Sequence, residues 1–336
     1  MKIKYAALLC VIMIGALLCA CGADTEQQTE STGAVKNQTE APETERQETG
    51  PGMQTYLNVH STDADGNYSP IYTGHVDIED GVNKYKLFTN YGTVYKQGWE
   101  EAELKVMVFN NGSLMDFSAD GENYAKSHVF NARNGEDFQR EITLRSDDIK
   151  YSHGYITVFC MYNPSLVPES GLSSFDGSIE YSFEYDNPNG EEYVFSQTKL
   201  GEYLEIPQTW VDEAFCMEVG YKQEPGKYVE DFNHAYNDVT AAEDGELYVK
   251  VNLGSETSGN FFLALICDGE IVSLDGENDT VGIVMNNGST TFQCGIPLSG
   301  AEEGLHYYQL FLVQQDMNDA AEMCSDSTYR YRVIIG

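Results

Sequence analysis

Asp120-Gly121-Glu122-Asn123 is written again, further along the chain, as Asp275-Gly276-Glu277-Asn278. Neighbouring landmarks recur around each copy in the same order. Tyr72 stands seven residues before Glu79-Asp80-Gly81, and Tyr236 stands seven before Glu243-Asp244-Gly245. An apolar run ending in a turn follows each, Leu104 to Gly112 in one copy and Phe261 to Gly269 in the other. After the four-residue turn, Asn134-Gly135 leads to Phe138-Gln139 with Ile142 and Leu144 beyond, while Asn287-Gly288 leads to Phe292-Gln293 with Ile296 and Leu298 beyond. His153-Gly154-Tyr155 and His306-Tyr307-Tyr308 open the next apolar run, and a Tyr-rich run closes each copy.

Between these landmarks the texture is that of strands. Short runs rich in Val, Ile, Tyr, Phe and Thr alternate with Asn-Gly, Asp-Gly and Pro-Gly, a spacing that predicts antiparallel sandwiches. Predicted strands include Tyr56–His60, Lys84–Thr89, Leu104–Phe109, Tyr155–Tyr162, Ile179–Tyr185, Glu246–Leu253, Phe261–Cys267, Tyr307–Val313 and Tyr329–Ile335. Helical periodicity is weak, and only Thr209–Val219 and Met317–Cys324 invite a helical reading. The fold class expected is all-β: two tandem antiparallel, immunoglobulin-like β-sandwich domains, residues 53–187 and 188–336, each long enough to bury a core. Even offsets place Phe138, Ile142 and Leu144 on one face of a strand, and Phe292, Ile296 and Leu298 on the matching face. Arg140 and Cys294, which lie between them, are expected at the sheet margin. Matching apolar positions set Ile156, Val158 and Cys160 against Tyr308, Leu310 and Leu312. Asn187-Pro188-Asn189-Gly190 is expected to turn the chain into a strand near Tyr193.

Upstream of the repeat, residues 22–52 contain no aromatic residue and are built from Glu, Gln, Thr, Ser, Gly and Ala. Such a stretch cannot bury enough apolar surface to offset its ordering entropy, and reads as a disordered acidic linker with a reach of about 30 Å. Ahead of it, Lys2 and Lys4 precede an uncharged apolar run from Ala6 to Leu18 that ends in Leu18-Cys19-Ala20-Cys21. The run is short for a membrane span and has the flanks of a secretory signal. Residues 1–21 resemble the lipobox signal peptide of bacterial lipoproteins. The resemblance implies cleavage before Cys21, acylation of that cysteine with chains such as palmitate, and attachment to the extracytoplasmic face of the cell membrane. Two or more acyl chains suffice for stable anchoring at about 0.8 kcal/mol per buried methylene.

The formal charge is −35, from 54 acidic and 19 basic residues. Nucleic-acid binding rests on neutralising phosphates, so nucleic acid is excluded as a partner, and an anionic bilayer offers no electrostatic attraction either. Five cysteines fall in the strand-rich part, Cys160, Cys216, Cys267, Cys294 and Cys324; none has metal-ligand spacing, and buried free thiols are expected.

No sequence signature of a nucleophile elbow, metalloprotease or phosphate-binding loop is present. His153 and His306 recur with the landmarks and read as strand-edge residues. His60, His75, His128 and His234 are scattered without a partner at a telling spacing. Asp63, Asp65 and Asn67 alternate as in a calcium loop, making Ca2+ the candidate ion, but the glycine falls two positions early and the site is read first as an acidic hairpin turn. Trp99 with Tyr95, and Trp210 in an insertion confined to the second copy, are the candidate ligand-binding aromatics. Asn111-Gly112-Ser113 and Asn287-Gly288-Ser289 match glycosylation sequons but read as turns.

The reading that results is a lipid-anchored, non-catalytic interaction module that binds a protein or peptide, through an exposed strand edge among other routes. The alternatives are a glycan-binding module using exposed aromatics, and a hydrolase with an interdomain site. Solute capture for a transporter is disfavoured because it usually employs α/β lobes.

Overall fold

The computed structural model describes residues 56–63, 65–71, 75–90, 101–133, 137–162, 178–205, 216–220, 239–240, 246–252, 259–285, 290–297, 302–314, 325–327 and 331–335. In chain order the first strands are β1 (Tyr56–Thr62), β2 (Tyr68–Pro70), β3 (His75–Asp77), β4 (Val82–Asn90), β5 (Glu101–Asn110), β6 (Ser113–Met115), β7 (Phe117–Ser118), β8 (Tyr124–Ala125), β9 (Ser127–Arg133), β10 (Asp137–Arg145), β11 (His153–Tyr162) and β12 (Ser178–Asp186). There follow β13 (Glu202–Glu205), β14 (Cys216–Gly220), β15 (Val239–Thr240), β16 (Glu246–Asn252), β17 (Gly259–Cys267), β18 (Glu270–Val272), β19 (Val281–Met285), β20 (Thr290–Pro297), β21 (Gly304–Gln314), β22 (Ser325–Ser327) and β23 (Tyr331–Ile335). Among the described residues the sole helical element is a 3-10 turn at Ser146–Asp148.

Four sheets result. Sheet I runs β2-β1-β4-β10-β7-β8, and sheet II runs β3-β12-β11-β5-β6 with β9 also on β5. Sheet III runs β13-β20-β16-β14, and sheet IV runs β15-β23-β21-β17-β18 with β19 on β17 and β22 on β21. The repeat in the sequence is therefore a repeat in topology: sheets II and IV share one order, even to a short parallel edge strand, β3 on β12 and β15 on β23. Sheets I and III share their three central strands. The place of β7 beside β10 is taken by β13 beside β20.

Sheets I and II close on one apolar cluster that includes Leu57, Leu87, Phe138, Ile142 and Leu144 from the first, and Val106, Val108, Ile156, Val158 and Phe183 from the second. Sheets III and IV close on another, with Val251 and Phe292 facing Leu263, Leu265, Leu310 and Val333. A third cluster joins the outer faces of sheets II and IV: Met107, Phe109, Phe159 and Met161 against Phe262, Ala264, Ile266, Phe311 and Val313. The rings of Phe159 and Phe311 lie 4.3 Å apart, and those of Phe109 and Phe311 lie 5.6 Å apart. Polar contacts frame this seam: the buried Lys105 ammonium meets Glu270, Lys126 Nζ lies 2.6 Å from Asp279, Gln309 Nε2 donates to Ser178 Oγ at 2.9 Å, and Thr280 Oγ1 donates to the Gly112 carbonyl. Gly112 has φ +80°, and a Cβ there would sit 2.7 Å from the Phe262 ring, so backbone conformation and close approach both require glycine.

The repeated turn is built the same way twice. Asp120 Oδ1 accepts the amides of Glu122 and Asn123 while Oδ2 accepts Asn123 Nδ2; Asp275 does the same with Glu277 and Asn278. Burial alone would raise the Asp275 carboxyl, but the Asn278 and Glu277 hydrogen bonds overcome it and bring the pKa down to about 2. For Asp120 the same hydrogen bonds, led by the Asn123 amide, hold the carboxyl below the usual range.

Several expectations change in the structure. Residues 216–219, inside the stretch considered for helix, belong to strand β14; residues 317–324 lie outside those described. Asn187–Gly190 does turn, with the Gly190 amide donating to the Asn187 carbonyl at 3.1 Å. The segment around Tyr193 is not a strand, however, since only Glu191 makes a bridge, to Tyr151, and the Tyr193 ring packs edge-on to Tyr151. Arg140 is exposed and lies over the Phe138 ring at 4.6 Å, as expected of a margin, whereas Cys294 is buried in the second core. Cys160, Cys267 and Cys294 are free thiols.

The packing is testable at two residues. Phe311→Ala removes the ring that touches Phe109 and Phe159 across the seam and Phe262 beside it, and is expected to cost about 3–5 kcal/mol. In urea melts it should split a single transition into two, because the seam couples the sheet pairs; one unsplit transition at unchanged midpoint would refute the coupling. Asp275 has a folded pKa below its unfolded value, so its stabilisation is present above about pH 4 and is lost as pH falls toward 2. Asp275→Ala should therefore cost about 1 kcal/mol at pH 7, narrowing below pH 4, as read from midpoints across that range.

Candidate functional site

Between the edge strand β2 of sheet I and the edge strand β3 of sheet II the sandwich stays open, leaving a cavity of about 560 Å³. The chain itself creates the opening. The Ile71 amide still donates to the Val59 carbonyl of sheet I, and four residues later His75 is already paired in sheet II. The walls are polar and carry both signs of charge, with Asp63, Asp77, Glu79 and Glu141 beside Lys84 and His75.

Register builds the sheet I wall. Lys86 pairs opposite both His60 and Glu141, which sets Lys84, Lys86, Glu141 and the Tyr68 ring on one face. The Tyr68 hydroxyl donates to Glu141 Oε2 at 2.8 Å, Lys84 Nζ lies 3.2 Å from Oε1, and Lys86 Nζ sits 4.5 Å above the Tyr68 ring. Burial opposes ionisation of Glu141, but the Tyr68 and Lys84 contacts outweigh it and lower its pKa; the same hydrogen bond raises that of Tyr68. His60 stacks on Phe88 at 4.2 Å, and desolvation lowers its pKa.

The sheet II wall carries an arrangement that spacing along the chain does not reveal. β3 pairs parallel to β12, with His75 beside Glu184 and Asp77 beside Asp186; β11 pairs antiparallel on the other side, with His153 beside Asp186. Val76 and Tyr185, the residues between, turn inward to the first core, so the polar residues share the outer face. His153 Nδ1 lies 2.9 Å from Asp186 Oδ1 and its Nε2 lies 3.1 Å from Glu184 Oε1. His75 Nδ1 lies 3.8 Å from Glu184 Oε2, and its Nε2 lies 3.4 Å from Asp186 Oδ2 and 3.9 Å from Asp77 Oδ1. His75, expected to lack a partner, thus faces three carboxylates. The signal present in the sequence is the pair His75-Val76-Asp77 and Glu184-Tyr185-Asp186, each an apolar residue flanked by two ligand-type side chains; it acquires meaning only once the parallel pairing is known.

His153 and His306 are not counterparts. The Asn111 amide donates to the Tyr155 carbonyl, as the Asp268 amide does to that of Tyr307, so Tyr155 matches Tyr307 and His306 falls on Gly154. This is the register that sets Ile156, Val158 and Cys160 against Tyr308, Leu310 and Leu312, as expected, and both sets face their cores. His306 is engaged on both sides of its ring, where Nδ1 faces Asp268 Oδ2 at 2.7 Å and Nε2 faces the Glu302 carbonyl at 2.9 Å. Two acceptors on the two ring nitrogens favour the charged ring, and its pKa is raised, chiefly by Asp268. Burial pushes the neighbouring Cys267 thiol up to about 11. The group ties a turn together, and His306 has no ring nitrogen left to serve as a base.

Asp63, Asp65 and Asn67 form the hairpin turn between β1 and β2. Asp63 Oδ1 accepts the Asp65 and Asn67 amides at 3.0 and 2.8 Å, and Oδ2 accepts Asn67 Nδ2 at 3.0 Å. Any ion there competes with these donors for the same oxygens. Asn111 and Gly112 occupy a tight turn with φ 44° and 80°. Cys21, Tyr95, Trp99 and Trp210 lie outside the described residues.

No family model matches this chain, and neither does any curated protein. Among solved structures it is similar to the 2F4 variant of McoA multicopper oxidase from Aquifex aeolicus, at 11% identity and a TM-score of 0.21, covering 83% of this chain and 65% of that one. It is also similar to Ruminococcus gnavus beta-glucuronidase, at 10% identity and TM-score 0.19, covering 83% of this chain and 44% of that one. CBD12 from CALX1.2 aligns at 10% identity and TM-score 0.17 over 73% of this chain and 80% of its own. The chain thus spans less than two thirds of the oxidase and under half of the glucuronidase. Likeness this slight carries no activity across.

Proposed function

We propose that the protein is a bacterial lipoprotein, acylated at Cys21 and held on the extracytoplasmic face of the cell membrane, that serves as a non-catalytic binding module for a protein or peptide. The observation that supports a peptide-type ligand is the open groove between two short edge strands, β2 and β3, each of which ends its sheet. An extended segment entering there finds backbone hydrogen-bonding groups at an edge and polar side chains on both walls. Acidic groups outnumber basic ones on those walls, in a chain of formal charge −35, so the segment favoured is a basic one. The linker of residues 22–52 would hold this groove away from the headgroups.

Two measurements test this. Cys21→Ser is expected to abolish metabolic labelling with an alkyne fatty acid and to move the protein from the membrane to the soluble fraction; retention of both label and membrane association would refute lipidation at Cys21. Peptide arrays probed with the full chain should give hits enriched in extended Lys/Arg-containing sequences, weakened about tenfold by Glu141→Lys, the equivalent of losing one favourable charged contact. Arrays without such hits, together with signal on a glycan array, would overturn the peptide reading in favour of carbohydrate.

A further inference from the structure

We propose that His75, Asp77 and Asp186 form a binding site for one divalent transition-metal ion of the zinc class, with His153 and Glu184 as the residues that hold those ligands in place. The inference is independent of what enters the groove.

Its first support is how the five side chains use their atoms. Asp186 offers Oδ1 to His153 Nδ1 at 2.9 Å and turns Oδ2 toward His75 Nε2 at 3.4 Å. Glu184 offers Oε1 to His153 Nε2 at 3.1 Å and turns Oε2 toward His75 Nδ1 at 3.8 Å. Two imidazoles and two carboxylates therefore close a ring in which every ligating atom faces a different neighbour. Asp77 Oδ1 completes the outer side, 3.9 Å from His75 Nε2. One ligand atom each from His75, Asp77 and Asp186 lies within 4.8 Å of the other two. Bonds of about 2.0–2.1 Å at tetrahedral angles set ligand atoms roughly 3.3 Å apart, so the 3.4 Å edge already fits and the others close by small side-chain rotations.

The arrangement also has the outer layer that metal sites use. A ligating histidine usually presents its other ring nitrogen to a carboxylate, and a ligating carboxylate is itself hydrogen-bonded. Glu184 stands at His75 Nδ1 in the first role, and His153 serves Asp186 in the second. Three protein ligands leave positions for water or for a ligand atom. Because His75 and Asp77 are also groove wall, the ion would sit at the groove rim. One imidazole with two carboxylates suits zinc-class ions better than calcium or magnesium, which take oxygen alone, and the absence of thiolate from the set disfavours copper(I).

The second half of the chain supplies an internal control at four of the five positions, the counterpart of His75 lying outside the described residues. It reproduces the strands and the parallel edge, yet the register places Leu305 where the first half has His153, Arg332 for Glu184, Ile334 for Asp186 and Thr240 for Asp77. The fold therefore does not require ligand-type residues at these positions. An exposed acidic surface alone would also not select two of the six histidines of the chain for one corner.

The test is calorimetric titration of the full chain, purified without a histidine tag and stripped with EDTA, using ZnCl2 and, separately, CaCl2; CoCl2 then reports coordination by visible absorption. One equivalent of Zn2+ is expected to bind, with CaCl2 giving no saturable heat. His75→Ala and Asp186→Ala should each weaken Zn2+ about 100-fold or more, and His153→Ala about 10- to 100-fold, as residues that support metal ligands do. His306→Ala should leave the titration unchanged. These side chains are at the surface, and circular dichroism of each variant confirms that it is folded. Absence of one-to-one binding, Zn2+ affinity unchanged in His75→Ala, loss of binding in His306→Ala, or equal binding of calcium would each overturn the proposal.

Discussion

Everything else in this structure is arranged around the contact between the outer faces of sheets II and IV. Phe109, Phe159, Phe262 and Phe311 leave water there, along with Met107, Met161, Ile266 and Val313. Fully burying a side chain of this size is worth about 1.5–3 kcal/mol, so the seam adds a third apolar cluster to the two cores it joins. Its consequence is that the central strands of sheets II and IV have no solvent face. β5, β11, β17 and β21 are therefore largely apolar on both sides, while sheet I keeps one polar side. Polar groups buried in the seam are partnered across it, the Lys105 charge by Glu270 and the Gln309 amide by Ser178.

That difference is legible in the sequence. Tyr155–Tyr162 and Phe261–Cys267 are continuous apolar runs, the pattern of a strand covered on both faces, whereas Val82–Asn90 alternates, the pattern of a half-buried one. The strands and their order in the repeat can be read from such runs and from the turn residues. The seam cannot, because a continuous run says that a partner exists and nothing about which surface supplies it. Likewise Asp120 and Asp275 announce their turns through local hydrogen bonds, but Cys294 looks like a margin residue along the chain because its burial depends on residues far away in sequence.

The candidate site does not show in the sequence for a related reason. Metal-ligand motifs are recognisable when ligands sit on one element at fixed spacing, as on a helix turn or a zinc knuckle. Here three strands contribute, spread between His75 and Asp186, and the pairing between them is decided by cores to which none of the five residues belongs. His153 misleads in a second way. Its apparent match to His306 suggests a fold landmark, when the backbone register gives His306 to Gly154 and leaves His153 without a counterpart histidine.

The direction of one edge strand decides the geometry that follows. β3 runs parallel to β12, so His75-Val76-Asp77 and Glu184-Tyr185-Asp186 pass in the same sense and each polar residue meets its counterpart in the other triplet. Parallel pairing at an edge requires the chain to arrive from elsewhere, and it arrives from sheet I, crossing between the sheets after β2. That single crossing opens the groove, aligns the two polar pairs, and brings both to the same corner as His153 at the start of β11. The second half also ends sheet IV on a parallel edge strand, β15 on β23, and fills the corresponding row with Thr240, Arg332, Ile334 and Leu305. The fold supplies a place where three strands present side chains to one point. Whether that place acquires chemistry is settled by the residues set there, four of which have no ligand-type counterpart in the second half.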